Sequence, residues 1–218
     1  MKIATKISMF FATVAAVLMY SSTALAAAPI TSLTDVDTGG RVNALYDINP
    51  QPVRETFERY GWTVDIVSSD TINALYGLDP ALATNYSLAG FVSPQRKKMF
   101  LTGDVNYASQ AVNHEMGHFF DICISPFILP DGIQASQTSD FVSVYLTEGC
   151  SGILGAYAMS SPDEYFAEAY KYYVEAPVFL ATYAPYTYLY MDKVVNMYTE
   201  DRVFATLVNL TFIEFVEV

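Results

Sequence analysis

Both histidines of the chain lie in one short segment, AVNHEMGHFFD, at residues 111–121. His114 and His118 are four residues apart, and Glu115 directly follows the first of them. Positions i and i+4 share one face of a helix, so both imidazoles can bring a nitrogen to one Zn²⁺ ion. A carboxylate beside them can take a proton from a water molecule as a general base. The H-E-x-x-H pattern therefore predicts one zinc ion per chain, with His114 and His118 as ligands and Glu115 as the base.

The alternative is a surface helix with two unrelated histidines, which leaves their clustering unexplained. Asp121 follows His118 by three residues on the same helical face. A carboxylate there can accept the outer N–H of a ligating histidine and fix its tautomer. A solvated acid near a helix end is the other possibility, although negative charge is mildly unfavourable there. We predict that Asp121 supports a histidine ligand.

A catalytic zinc site takes three protein ligands and keeps one position open for water. No third histidine exists, so the remaining ligand must be an acid or, less favourably, a cysteine. The segment YAMSSPDEYFAEAYKYY, residues 157–173, carries Glu164 and Glu168 four apart on an apolar helix face, where two acids need a partner. Its SPDE string also fits a capping box, in which Glu164 only starts the helix and Glu168 is the ligand. Spacing alone leaves both assignments open.

The HEMGH string, followed by Tyr157 and then by EYFAEAY, resembles the lethal-factor-like (ATLF-like) zinc metallopeptidases. Within that family it is most similar to the secreted Pro-Pro endopeptidases of Gram-positive bacteria. The resemblance implies that Glu164, which opens the second string, is the third zinc ligand. It also implies that Glu168 hydrogen-bonds a ligating histidine and that Tyr157 stabilises the oxyanion formed during hydrolysis.

Those enzymes line their substrate cleft with a tryptophan on a loop that precedes the catalytic helix. The only tryptophan here, Trp62, lies well upstream, at a predicted helix-to-strand turn. Cleavage at Pro-rich sites is therefore the part of the resemblance that the sequence supports least.

The first 26 residues fit a secretory signal peptide. Lys2 and Lys6 precede an apolar stretch at residues 9–20, and the small-x-small string at residues 24–26 suits cleavage. A membrane anchor is the alternative, but the cleavage pattern favours removal. We expect residues 27–218 to form one extracellular metallopeptidase domain with no stable membrane anchor.

Composition limits the partners of the mature chain. Removal of Lys2 and Lys6 reduces the 11 basic residues to 9 against 23 acidic ones, a net charge near −14. Such a charge disfavours binding to nucleic acid and leaves a protein or peptide substrate as the expected partner. We also expect the protein to be a monomer. Cys123 and Cys150 allow a single disulfide, and two free thiols are equally compatible with the sequence.

Strand patterns come early in the chain and helical patterns come late, which predicts an α+β domain. The resemblance makes this a zincin-like fold, with a small N-terminal mixed sheet and helices followed by a mainly helical C-terminal half. We predict that residues 98–101 form the edge strand along which a substrate pairs. The predicted strands are residues 42–46, 63–67, 90–92 and 98–101; the predicted helices are residues 53–60, 71–77, 106–122, 139–147 and 162–174, with further helix toward the C-terminus.

The function predicted from these features is a secreted zinc metalloendopeptidase. One alternative is a zinc-containing but catalytically inactive extracellular protein-binding module. Glu115 and Tyr157 argue against it, because holding a metal requires neither. The other is a lethal-factor-like toxin effector delivered by a separate carrier, which the predicted signal peptide disfavours.

Overall fold

A computed structural model describes residues 30–32, 36–77 and 88–199 of the chain. The predicted signal peptide, its cleavage site and the last 19 residues of the chain lie outside these ranges. The described residues form a four-stranded sheet followed by a mainly helical half, as predicted for an α+β fold. The strands are β1 (Ile30–Ser32), β2 (Thr63–Val67), β3 (Gly90–Ser93) and β4 (Lys98–Thr102).

The sheet is mixed, with strand order β1-β2-β4-β3. β1, β2 and β4 run parallel, and β3 lies antiparallel to β4 with Phe91 opposite Phe100. Three predicted strands, at residues 63–67, 90–92 and 98–101, are confirmed. The prediction that residues 98–101 form the edge strand is wrong, because β4 lies between β2 and β3. Met99, Phe100 and Leu101 are all buried, which is the continuous apolar pattern of a strand covered on both faces.

The helices of the described residues confirm the five helical predictions, with boundaries that shift by a few residues. They are α1 (Val36–Tyr46), α2 (Gln51–Arg59), α3 (Ser69–Tyr76), α4 (Val105–Phe119), α5 (Ser125–Ile128), α6 (Ser139–Thr147), α7 (Pro162–Glu175), α8 (Pro177–Tyr183) and α9 (Pro185–Thr199). A wider π-helical turn, Phe120–Ile124, joins α4 to α5.

The strand predicted at residues 42–46 is also wrong, since these residues end helix α1. Val42 and Tyr46 lie four residues apart and are both fully buried. Leu45 packs beside them, so the three side chains follow the i, i+3, i+4 spacing of a helix face. In so short a segment the same apolar residues also fit a strand. Only their packing against α4 distinguishes the helix from the strand.

The main core lies between the sheet and α4 and continues into the helical half. Trp62 belongs to this core, where its ring centroid lies 5.6 Å from Phe57 and 5.0 Å from Phe119. It is therefore a packing residue. α3 covers the opposite face of the sheet through a smaller cluster of Val67, Ile72 and Phe100.

Cys123 and Cys150 are both free thiols. Burial raises the pKa of the Cys123 thiol to about 12, which keeps it protonated and unreactive at neutral pH. Across the residues that the structure describes, no helix combines the length and apolar character needed to cross a membrane.

Candidate metal centre

Helix α4 carries both histidines. Its start is stabilised by Asp104, whose carboxylate accepts the backbone N–H groups of Asn106 and Tyr107 at 2.9 and 3.1 Å. Four helical residues then place the His114 and His118 rings side by side, with centroids 4.8 Å apart and planes nearly perpendicular. Both side chains are largely buried. The predicted histidine pair is thus formed within one element.

Helix α7 supplies the third group. Oε2 of Glu164 lies 3.0 Å from His114 Nε2 and 3.3 Å from His118 Nε2. Potential ligand atoms of these three residues all lie within 4.8 Å of one another. In the described part of the chain, this is the group of histidine, cysteine and acidic side chains that can hold a metal ion.

The donor set and its spacing fit zinc. Two imidazole nitrogens and one carboxylate oxygen form a common catalytic ligand set, which leaves a fourth position for water. Tetrahedral bonds of about 2.0–2.1 Å place neighbouring ligand atoms about 3.3 Å apart. The separations of 3.0 and 3.3 Å from Glu164 Oε2 agree with that spacing. Only small side-chain movements are needed for the three atoms to surround one ion.

Glu164 has separate backbone and side-chain contacts at the start of α7. Ser161 is the N-cap of α7, and its hydroxyl accepts the backbone N–H of Glu164 at 3.3 Å. The Glu164 side chain does not complete a capping box, because both its oxygens are engaged at the centre. Glu164 thus helps to begin the helix through its backbone and contributes to the metal centre through its carboxylate.

Gly117, inside the HEMGH string, sets the distance between α4 and α7. A Cβ atom at Gly117 would lie 2.7 Å from Ala167 Cα, 2.8 Å from Ala167 O and 3.0 Å from Tyr170 Cβ. Backbone atoms cannot yield to a contact this short at low cost. The absence of a side chain therefore lets α7 approach closely enough for Glu164 to reach both histidines.

Glu168 lies behind the histidines. Its Oε2 is 2.9 Å from His114 Nδ1, and its Oε1 accepts the Lys171 ammonium at 2.7 Å. Glu168 thereby holds the His114 tautomer whose Nε2 faces Glu164. This is the contact that the resemblance implied for Glu168. Lys171 was not anticipated, although its i+3 spacing from Glu168 could have indicated the ion pair.

Asp121 does not take the predicted role of a histidine partner. Its Oδ1 accepts the Ser136 backbone N–H at 2.9 Å, and its Oδ2 accepts the Ser136 hydroxyl at 2.6 Å. These bonds tie the π-helical turn after α4 to the loop before α6. Phe119 and Phe120 keep helical dihedral angles, so Asp121 follows the helix, but its carboxylate is occupied by Ser136, 15 residues away, which the spacing from His118 does not show.

Glu115 is almost completely buried, and its Oε2 has no hydrogen-bond partner in the structure. Burial raises its pKa, a shift that the nearby His118 and His114 partly oppose. Gly90 of β3 makes room for this carboxylate, because a Cβ there would lie 3.1 Å from Glu115 Oε1 and 2.8 Å from Leu101 Cδ2. Glu115 therefore has a free carboxylate oxygen beside the ligand group and a raised pKa, and both features suit a general base.

Tyr157 precedes a single turn of 3₁₀-helix, Ala158–Ser160, that leads into α7. Its hydroxyl donates to Glu164 Oε1 at 2.9 Å, and its ring centroid lies 5.8 Å from that of His114. Burial of the phenol and the charge of Glu164 raise its pKa, so the hydroxyl remains a proton donor. The ring edge itself stays exposed to solvent.

The electrostatics of the centre pair the histidines with acids. Burial disfavours the charged form of His114, but hydrogen bonds to Glu164 and Glu168 outweigh it and raise its pKa to about 9. Burial likewise opposes ionisation of Glu164, but hydrogen bonds from both histidines hold its pKa below the usual value. Carboxylates therefore hold the histidine protons in the metal-free centre, and a metal ion bound by the same atoms would take the place of those protons.

Known proteins resemble this chain in sequence and in fold. Residues 94–194 match the family described as "Anthrax toxin lethal factor, N- and C-terminal domain", and this segment includes every residue of the centre. The fold is similar to that of the Pro-Pro endopeptidase PPEP-2 from Paenibacillus alvei, with a TM-score of 0.57 and 16% sequence identity. The match covers 75% of this chain and 96% of that one. No curated protein matches the chain in sequence.

These likenesses confirm the resemblance to lethal-factor-like metallopeptidases and the zincin-like α+β fold. The fold places His114, His118 and Glu164 at one point, with Glu115 and Tyr157 beside it.

Proposed function

We propose that this chain is a secreted zinc metalloendopeptidase. One observation carries the proposal: the Nε2 atoms of His114 and His118 converge on a single oxygen of Glu164, beside the unpartnered carboxylate oxygen of Glu115. The likeness to a lethal-factor domain and to an endopeptidase fold supports a metallopeptidase. Secretion rests on the predicted signal at residues 1–26, with residues 27–218 as the peptidase domain.

His114, His118 and Glu164 would hold the ion. When bound, Zn²⁺ would act as a Lewis acid that lowers the pKa of a water molecule toward neutral and polarises a carbonyl group. Glu115 accepts the proton of the attacking water on its free oxygen, and it passes that proton to the leaving amine. The raised pKa of Glu115 suits the first step, because a more basic carboxylate accepts a proton more readily.

The phenol of Tyr157 provides a hydrogen-bond donor to the oxyanion that forms at the scissile carbonyl. In the structure the same hydroxyl donates to Glu164 Oε1, so a substrate oxyanion would replace that acceptor. The exposed ring allows the hydroxyl to move toward a substrate without disturbing the core.

The substrate would lie along β3. β3 is an edge strand of the sheet, and Gly90 brings its backbone against Glu115. An extended peptide can add to such an edge through backbone hydrogen bonds. A peptide bound in this way would have its scissile bond next to Glu115. Because the pairing uses backbone groups, it does not depend on the side chains of the substrate. Whether Pro-rich segments are preferred is then a matter of the side-chain sites along β3.

The test is cleavage of a diverse peptide pool, including Pro-Pro sequences, by zinc-loaded protein, with products identified by mass spectrometry. The Glu115→Gln variant keeps the shape and the ligands but removes the base, so its rate should fall about a hundred- to ten-thousandfold. Glu55→Gln, at an exposed position of α2, is the matched control and should cut like wild type. Zinc binding without cleavage across the pool would contradict the proposal and favour a binding module.

A further inference from the structure

A cleft beside β3 has no role in the chemistry described above. It encloses about 420 Å³ and is lined by Leu75 and Tyr76 at the end of α3, residues 91–93 of β3, and Gln95 and Arg96 in the turn that follows. We refer to it as the Tyr76 cleft. An aromatic ring of benzene size occupies a cavity of about 150 Å³, so the cleft has room for one large side chain.

The cleft lies on the α3 face of the sheet, opposite the face that packs on α4. Phe91 packs there with Phe100, and the two rings are stacked with centroids 5.0 Å apart. Gly90 and Val92 point the other way, toward Glu115 and the main core. Side chains of an extended chain alternate between the two faces of a sheet. A peptide paired with β3 therefore presents alternate side chains to the metal centre and to the Tyr76 cleft.

Among the residues that the structure describes, no strand pairs with the outer edge of β3, so a substrate strand can add there. The Thr102 N–H donates to the Ala89 carbonyl at 3.0 Å, which makes Ala89 and Thr102 a hydrogen-bonded pair. Pairs alternate along antiparallel strands, so Phe91 also pairs with β4 while the backbone groups of Gly90 and Val92 face away from β4, where the Val92 N–H donates to the Glu115 carboxylate. A substrate residue directly opposite Phe91 shares its face of the sheet and enters the cleft.

The walls of the cleft favour apolar contact. The rings of Tyr76 and Phe91 meet edge to face at 5.3 Å, and Tyr76 is about half exposed. The guanidinium of Arg96 is already engaged, since it lies 6.0 Å from the Phe100 ring centroid and donates to the Leu75 carbonyl at 3.5 Å. Arg96 thus holds one wall in place, while the exposed aromatic edge remains for a ligand.

The cleft and the metal centre share strand β3, because Gly90 lies against Glu115 and the next residue, Phe91, lines the cleft. We propose that the Tyr76 cleft is a specificity site that binds one large apolar side chain, aromatic or aliphatic, of a substrate strand paired with β3. This inference rests on the proposed peptidase function and names the substrate class of the same site.

Two measurements test the proposal. In the first, zinc-loaded wild type cuts a peptide library randomised around the cleaved bond, and we expect Phe, Tyr, Leu or Ile to be enriched at one position. Tyr76→Ala should lower kcat/KM about tenfold for peptides with an apolar residue there, the effect of losing one aromatic contact. Peptides with Ser at that position should be cut as before. Tyr76→Phe should retain the preference, and Tyr183→Ala, which removes an equally exposed tyrosine on α8, should change nothing.

In the second measurement, fluorescent peptides with Phe or Ser at that position are titrated into zinc-loaded Glu115→Gln protein. The Phe peptide should bind more tightly, and Tyr76→Ala in this background should remove the difference. Cleavage whose preference is unaffected by Tyr76→Ala would overturn the cleft proposal and leave the peptidase standing. Tyr76-dependent binding without any cleavage by wild type would sustain the cleft and overturn the peptidase. Neither binding nor cleavage would overturn both.

Discussion

The backbone of Ala167 lies so close to Gly117 that a Cβ atom at Gly117 would be 2.7 Å from Ala167 Cα. This contact joins the helix that carries both histidines to the helix that carries Glu164 and Glu168. The geometry of the metal centre therefore depends on a residue that itself binds nothing.

Gly117→Ala is expected to destabilise the protein by about 1–3 kcal/mol, because overpacking forces the two helices apart. The same displacement should weaken zinc binding. Thermal unfolding and zinc titration would measure the two effects. Gly40→Ala is the matched control, since Gly40 lies inside helix α1 and a Cβ there meets nothing within 4 Å. That change should stabilise the protein by about 0.4–1 kcal/mol. Equal effects of the two substitutions would contradict the close approach of α4 and α7.

Glu168→Ala should weaken zinc affinity about 10- to 100-fold, the usual cost of removing the partner of a ligating histidine. The reason is that His114 Nδ1 loses its acceptor at 2.9 Å and its ring is no longer held toward the ion. Competition with a chromogenic chelator would measure the affinity. Asp121→Asn serves as the comparison, because Asp121 bonds Ser136 and should affect folding more than zinc affinity. The reverse order of effects would restore Asp121 as the histidine partner.

Tyr157→Phe should lower kcat about a hundredfold, at the lower end of the effect of removing one oxyanion donor. KM and zinc content should stay close to wild type, because the hydroxyl acts on the transition state and the ring remains. Steady-state kinetics on a single cleaved peptide would provide both parameters. Tyr183→Phe controls for the loss of an exposed hydroxyl. A variant that retains full kcat would remove Tyr157 from the reaction.

The metal-free protein should lose stability as the pH rises from about 6.5 to about 9. Burial lowers the pKa of His114, but its hydrogen bonds to Glu164 and Glu168 raise it to about 9 in the folded state. Since the folded protein holds this proton more tightly, the contribution is complete below about 6.5 and is lost as the pH passes through about 9. His118 shifts in the same direction.

Zinc takes the place of these protons, so the zinc-loaded protein should lack that loss of stability. Unfolding midpoints of both forms at pH near 6 and near 9.5 would measure the difference, and His114→Asn should reduce it in the metal-free protein. A metal-free midpoint that is unchanged or higher at the alkaline pH would contradict the predicted pairing of histidines with acids.

Sequence spacing was sufficient where the contacts are local. His114, Glu115 and His118 lie within one helix, and five residues define their arrangement. Spacing could not decide between Glu164 and Glu168, because both side chains face α4. Which carboxylate lies between the histidines depends on how α7 packs on α4 at Gly117, and that packing is not visible in the spacing. The resemblance to a known family resolved that choice.

Other errors had similar causes. The apolar residues of 42–46 fit a strand as well as the buried face of α1, and the difference appears only in packing. β4 was mistaken for an edge strand although its apolar run indicates a central one. Asp121 was assigned to a histidine, but its carboxylate bonds Ser136, and no local residue pattern indicates a contact 15 residues along the chain.

The most direct test of the account is whether peptide cleavage follows zinc. Protein stripped with a chelator would be offered one cleaved peptide before and after addition of one equivalent of Zn²⁺, with products identified by mass spectrometry. The account predicts no cleavage by stripped protein, recovery of cleavage on addition of zinc, and no recovery in Glu115→Gln. Cleavage that persists in the stripped protein, or that returns equally in Glu115→Gln, would contradict it.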